Sequence, residues 1–206
     1  TRFKDLHKPV QVIFDELRIP HIFAENDHDL YFIQGYIMAF DRLWQMEFQT
    51  HAAAGRLSEI VGKKALDYDR FQRRIGMGYG AKNSQNEITK DAEISTLMNA
   101  YTAGINAYIT SLSKDQYPLE YKILDYSPEP WTPLKTSLLL KYMAWTLTGR
   151  NTELAYTRMM NTMGQDVVEE LFPIHPWFID PIIPRGNNIQ FIPLELDQPE
   201  NIYKSN

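Results

Sequence analysis

The stretch VQVIFDELRIPHIFAENDHDLYFIQGYIMAFDRLWQMEFQTHAAAGRLSEIVG (Val10–Gly62) decides how the chain is read. Its opening holds two short β-rich runs, Pro9–Phe14 and Ile19–Ala24, parted by Asp15-Glu16-Leu17-Arg18, which predicts a hairpin or two strands of a larger sheet. A long helix follows. Asn26 or Asp27 can cap it, and Leu30, Ile33, Ile37, Phe40, Trp44 and Phe48 recur at three- and four-residue spacing towards Gly55. Asp41, Arg42, Gln45 and Gln49 fall on its other faces, and Gly35 within the stripe predicts close packing or a break. Two strands alone are marginal in water, and no later segment supplies convincing partners, so the sheet requires strands from elsewhere.

Further along, a short helix is expected over Leu57–Val61, ending at Gly62. Ile94, Leu97, Met98, Tyr101, Ile105, Tyr108, Ile109 and Leu112 keep the helical period throughout. Pro118, Pro128, Pro130 and Pro133 mark a connection, followed by helices near Leu134–Leu147 and Thr152–Met163, the second stopped by Gly164. Asp166–Phe172 reads as a last helical turn. Six of the 12 prolines then fall between Pro173 and Pro199. This tail is apolar without period, and proline cannot donate to a ladder, so it must lie on another surface: the domain's own helices or a partner chain. Neither an internal repeat nor a low-complexity tract is present.

Composition bounds the function classes. With 206 residues, 44% hydrophobic and 23% charged, the chain is ordinary for a globular domain, though its 13% aromatic content is high. A net charge of −5 argues against nucleic-acid binding through a basic field. No apolar run reaches the roughly 18–20 residues of a membrane helix, since Leu138–Trp145 is interrupted by Lys141. The absence of cysteine excludes disulfides, thiolate metal sites and cysteine catalysis. Starting at Thr1 without a signal-peptide pattern, the N-terminus is expected to be processed or truncated.

Local catalytic motifs are missing: no G-x-S-x-G, no P-loop, no G-x-G-x-x-G. The five histidines contain no H-x-x-x-H pair, which argues against a zinc site made within the chain. Asp67 and Asp69 diverge on a helix, and Arg70, Arg73 and Arg74 read as a solvated face or as partners for those two carboxylates. Residue patterns alone therefore give a mostly helical domain with two strands and a dependent tail, and no reaction.

Several ordered motifs resemble the penicillin amidase family: V-x-V-x-x-D-x-x-x-I-P-H-I-x-A (Val10–Ala24), D-L-x-x-x-Q-G-Y (Asp29–Tyr36), A-x-D-R-L-W-Q-M-E (Ala39–Glu47) and G-R-L-S-E-x-x-G (Gly55–Gly62). Asp69 with Arg73-Arg74 fits the family's following D-x-x-x-R region, and L-F-P-x-H-P-x-F-x-D-P-I-I-P (Leu171–Pro184) resembles the end of its α-chain. One departure bears on a turn: the family's G-V-P-H-I reads R-I-P-H-I here, with Arg18 for glycine.

The resemblance implies the α-chain of an N-terminal-nucleophile hydrolase, with α+β fold: a mostly helical chain whose few N-terminal strands complete the αββα sandwich of a partner β-chain. As a single domain it would comprise strands in 1–26, helices in 27–172 and a strap on the β-chain in 173–206. The nucleophile, a serine opening the β-chain after self-cleavage of a precursor, would lie outside this chain. Its free α-amine, with a pKa of about 7.7–8.0, serves as its own base, so no histidine partner is needed. The expected activity is hydrolysis of a small-molecule N-acyl amide to a carboxylic acid and an amine, in the periplasm or outside the cell. Acyl-homoserine-lactone acylase, cephalosporin acylase and a non-catalytic helical binding subunit are the alternatives. Met143-Ala144 and Thr152-Glu153 match the ends of the family's M-A-x-R-F…S-E segment. By that match Glu153 is the expected ligand of a structural calcium, while Met143, Thr146 and Leu147 are expected to bind substrate. Thr146 and Leu147 stand where the family has Arg and Phe, which favours a flexible or aliphatic acyl group. Neither an organic cofactor, a nucleic-acid partner nor membrane insertion is expected.

Overall fold

The computed structural model describes residues 3–148 and 152–173. The proline-rich tail from 174 onwards lies outside the described residues, and with it the expected strap and its apolar motif. The described chain falls into two compact units, divided between Thr148 and Gly149.

In the first unit, β1 (Gln11–Phe14) and β2 (Pro20–Phe23) form an antiparallel hairpin in the register Val12↔Ile22 and Ile13↔His21. Val12 and Ile22 pack inward with Phe3, Leu6 and Val10 against Phe32, Ile33 and Ala100. Ile13 and Phe23 remain exposed on the other side, and Phe14, which shares the face of Val12, is exposed at the end of β1. The sheet has two strands among the described residues, so both of its edges are open.

Helix α1 (Asp27–Ala54) is started by Asn26, whose side chain accepts from the Asp29 amide at 2.9 Å. It ends at Gly55, whose φ of 65° is the left-handed cap conformation that glycine adopts without a Cβ penalty. The buried stripe of α1 is Phe32, Gly35, Ala39, Leu43, Met46 and Thr50, rotated from the expected one. Phe40 is 50% exposed; of the expected stripe, Ile33 alone is fully buried. The rotation has a steric cause. Helix α5 (Ala92–Ser111) crosses so closely that a Cβ at Gly35 would run into the Tyr101 carbonyl, and one at Gly104 into the Phe32 carbonyl. Gly35 thus serves close packing. The irregularity in α1 comes later, at Arg42, with φ −139° and ψ 19°.

Short helices α2 (Ser58–Val61), α3 (Leu66–Arg74), α4 (Met77–Ile88) and α6 (Leu119–Ile123) wrap this pair. Helix α7 (Pro133–Leu147) begins with proline in its first turn, where the missing N–H costs nothing. Ala39, Leu43, Met46, Ile105, Tyr121 and Trp131 form one core, and Ala53, Met77, Ala81 and Leu138 a second between α1, α4 and α7. Helices α3, α4 and α6 were absent from the sequence reading; α2, α5 and α7 lie within two residues of their expected bounds. Among the described residues, the second unit holds α8 (Glu153–Met163) and α9 (Gln165–Leu171), joined at Gly164 and closed by an edge-on contact of Tyr156 with Phe172. No described helix is long and apolar enough to cross a membrane.

Candidate functional site

The motifs of the first 75 residues meet in two polar clasps. In one, Asp69 of α3 is buried and accepts from the Leu57 amide at 2.8 Å and the Ser58 amide at 2.7 Å. Arg73, one turn on, donates its Nε to the Gly55 carbonyl at 2.8 Å. Burial pushes the Asp69 carboxyl up, but these donors and the Arg73 charge outweigh it and leave it below its ordinary value. Asp67 points into solvent instead, and Arg70 reaches it at 3.4 Å. The two carboxylates diverge as the spacing requires, and the arginines act as helix-face and backbone partners.

The second clasp is deeper. Glu47, 1% exposed in α1, accepts from Tyr121, from Tyr126 at 3.2 Å and from the Glu129 amide at 2.8 Å. Lys135 of α7 lies 3.6 Å from Glu47 and 3.1 Å from Glu129, and Arg56 donates to Glu129 at 2.8 Å while pairing with Glu59. His51 donates its Nδ1–H to the Glu47 carbonyl at 3.0 Å, leaving Nε2 facing the Tyr126 hydroxyl at 3.3 Å. Burial and the Glu47 charge push both tyrosine hydroxyls far up, so they stay protonated donors. Burial raises the Glu129 carboxyl, but Arg56 and Lys135 outweigh it and hold it down at about 2. Two carboxylates are thus matched by two cations and satisfied by tyrosine and backbone donors, which suits holding the 113–131 connection on α1 and not proton transfer. No local pattern marks the members of this clasp, some of which enter the sequence only as motif letters. The one signal available was a charged Glu47 in line with the buried face of a helix.

Beside this clasp lies the open face formed by α1, α5 and α7. A recess of about 560 Å³ is lined by Gln49, Tyr101, Leu139, Leu140, Met143 and Thr146. A neighbouring one of about 410 Å³, lined by Tyr31, Met38, Ile94, Leu97 and Met98, shares Tyr101 and Thr136 with it. Met143 and Thr146 therefore share a cleft, joined by the Thr146 hydroxyl donating to the Met143 carbonyl at 3.0 Å. Leu147, the last residue of α7, is 79% exposed and outside the lining. Its turn is closed by Thr148, whose amide donates to the Ala144 carbonyl at 3.1 Å. The cleft is apolar and open, which suits an apolar group.

Glu153 opens α8 in the second unit and is exposed. Its carboxylate can offer a hard cation at most two oxygens, and calcium takes about 6–8, so other residues would have to complete such a site. Among the described residues, three-residue groups of metal-ligating side chains occur at His7, His28 and Asp29 and at Glu47, His51 and Glu129; Glu153 belongs to neither.

The family model for penicillin amidase matches residues 9–206. The chain belongs to the penicillin amidase family. Among curated relatives, this family member is 38% identical over 128 residues to penicillin acylase 2 proenzyme of Pseudomonas sp. (strain SE83), covering 62% of this chain and 16% of that protein. It is 30% identical over 174 residues to the acyl-homoserine lactone acylase QuiP of Pseudomonas aeruginosa, covering 84% of this chain and 20% of the relative. The chain thus spans about a fifth or less of the length of these relatives. A solved structure, the thermostable penicillin G acylase from Alcaligenes faecalis, superposes with a TM-score of 0.71 at 25% identity, covering 85% of this chain and 97% of that one. The mostly helical architecture with its small sheet matches a penicillin acylase structure.

Proposed function

We propose that this penicillin amidase family chain is the α-subunit of an amidohydrolase that cleaves N-acyl amides to a carboxylic acid and an amine. One observation of extent carries the reading: the chain matches 97% of a chain in a solved penicillin G acylase but 16% of a penicillin acylase proenzyme. A second, longer chain would then supply the remainder, including the nucleophile, the strands that extend the hairpin into an αββα sandwich, and the ground for the proline-rich strap. The open edges of β1 and β2 and the exposed Ile13, Phe14 and Phe23 support that reading.

In such an enzyme the reaction needs little from this chain chemically. A serine at the partner's N-terminus attacks the amide carbon, its own α-amine takes the hydroxyl proton and returns it to the leaving amine, and water then cleaves the acyl-enzyme. The α-subunit binds and orients the acyl group. Met143 and Thr146 line its wall, and Leu147 at the exposed end of α7 meets the acyl group's far end once the partner is docked. An aliphatic Leu147 favours a flexible or medium-chain acyl group over phenylacetyl, in line with a relative named as an acyl-homoserine lactone acylase. Glu153 contributes oxygen to a structural calcium completed by the partner, in a periplasmic or secreted enzyme.

The assembled enzyme is the test. Its companion chain should begin with serine, or with threonine or cysteine, and alanine there should abolish acid release from phenylacetyl amides, medium-chain acyl amides and acyl-homoserine lactones alike. A companion without a nucleophilic first residue, or an assembled protein inert towards all three, overturns the proposal in favour of a non-catalytic binding subunit.

A further inference from the structure

Asp29 caps nothing by itself, yet it is fully buried at the start of α1 and draws four donors. Its Oδ1 accepts from the His7 amide at 2.9 Å and from the His28 ring at 3.2 Å. Oδ2 accepts from the Lys8 amide at 2.9 Å and from Asn26 Nδ2 at 2.7 Å. Burial pushes this carboxyl up, and the four hydrogen bonds outweigh it, leaving it well below the usual carboxylate range. Four hydrogen bonds therefore fix the orientation of this carboxylate. Among the described residues no lysine or arginine pairs with it: the Lys8 ammonium turns away to Glu25 at 2.7 Å.

The imidazoles of His7 and His28 stack beside this anion, ring centroids 4.3 Å apart at 21°. Ligand atoms of His7, His28 and Asp29 all lie within 4.8 Å of one another. An ion bound tetrahedrally at about 2.0–2.1 Å spaces its ligand atoms about 3.3 Å apart. The separation of 3.2 Å between His28 Nδ1 and Asp29 Oδ1 already meets this. His7 Nδ1 stands 3.9 Å from the same oxygen on a side chain that is 65% exposed and free to turn inward. It borders a recess of about 380 Å³, which leaves space for a water as fourth ligand.

We infer that His7, His28 and Asp29 form a binding site for a divalent transition-metal ion of the zinc class. Two imidazole nitrogens and one carboxylate oxygen suit zinc, copper or nickel and disfavour calcium, which takes oxygen ligands. On binding, the ion replaces the hydrogen bond from His28 to Asp29, Nδ1 becomes the ligand atom, and the ring N–H is carried on Nε2. The ion ties the N-terminal segment to the first turn of α1. Glu47, His51 and Glu129 lie equally close together but already face Arg56 and Lys135, whose charges exclude a cation. The sequence argued against zinc because the histidines contain no H-x-x-x-H pair; the fold instead brings His7 and His28, 21 positions apart, to the carboxylate of Asp29.

The test is zinc titration of the assembled enzyme in excess calcium, read by competition with a chromogenic chelator. His7→Asn and His28→Asn should each weaken one zinc equivalent tenfold or more, and the double variant should lose it. His21→Asn, an exposed ring outside the cluster, should leave it intact. Metal-free melting temperatures of the variants should match the parent, and zinc should raise those of the parent and His21→Asn but not that of the double variant. Copper in place of zinc should give an electron paramagnetic resonance spectrum with two coupled nitrogens that the double variant lacks. Equal zinc affinity and stoichiometry in the parent and the double variant overturns the inference.

Discussion

Arg18 holds a φ of 61°, a left-handed conformation in which a side chain costs about 1–2 kcal/mol. The turn keeps it there: the Arg18 amide donates to the Asp15 carbonyl at 2.9 Å, and Asp15 Oδ1 accepts from the Leu17 and Ile19 amides at 2.9 and 2.8 Å. Where the family has glycine, this chain carries strain at the hairpin tip. Arg18→Gly should therefore stabilise the enzyme by about 0.5–1 kcal/mol, the relief of strain less the entropy a glycine adds to the unfolded chain, as measured by denaturant unfolding. Leu147 raises a different expectation. Being 79% exposed on α7, it has space around it within this chain, so Leu147→Phe should leave the melting temperature unchanged. The ratio of kcat/KM for phenylacetyl over medium-chain acyl amides should rise severalfold, since each methylene-sized change in an apolar cleft is worth about 1–3 kcal/mol. An unchanged ratio would move the acyl site away from the end of α7.

At the scale of elements, the Glu47–Glu129 clasp fastens the connection before α7 onto α1 across more than 70 residues of sequence. Glu129, lowered from an ordinary 4.5 to about 2, binds its proton less readily folded than unfolded. Its stabilising contribution is thus complete above about pH 4.5 and disappears as pH falls towards about 2. Glu129→Gln should cost about 1–3 kcal/mol at pH 7, and the difference from the parent should shrink across that window, followed by unfolding at a series of pH values. Such long-range hydrogen bonding explains what the sequence concealed. Helix α5 was legible because its apolar period is unbroken. Helix α3 was not, because its buried residues are Asp69 and Gln72, and α4 carries Gly78 and Gly80. The stripe of α1 was legible in period and displaced in phase, because the glycines at the α1–α5 crossing, and not the largest apolar side chains, choose the buried face. Of the candidate site, Met143 and Thr146 were named through the resemblance to the family's pocket segment, whereas the Glu47 clasp joins residues no local pattern relates.

For the whole molecule, the proposed calcium gives a test of assembly. Glu153→Ala should lower calcium content and the yield or melting temperature of the assembled enzyme more than its kcat, since the exposed carboxylate of Glu153 lies on a unit distinct from that of Met143 and Thr146. Unchanged calcium content would remove Glu153 from the ligand set. The hairpin bears on a separate matter, the route by which the protein reaches its final form. Two strand edges, open among the described residues and flanked by exposed Ile13, Phe14 and Phe23, will accept an extended backbone that arrives first. Capture by a strand tethered to the same polypeptide proceeds at a rate independent of dilution, while capture by a neighbouring molecule accelerates with concentration. Under the proposed assembly, crowding at the moment of synthesis therefore works against this chain, and slow, dilute production favours pairing of its edges with strands of its own precursor.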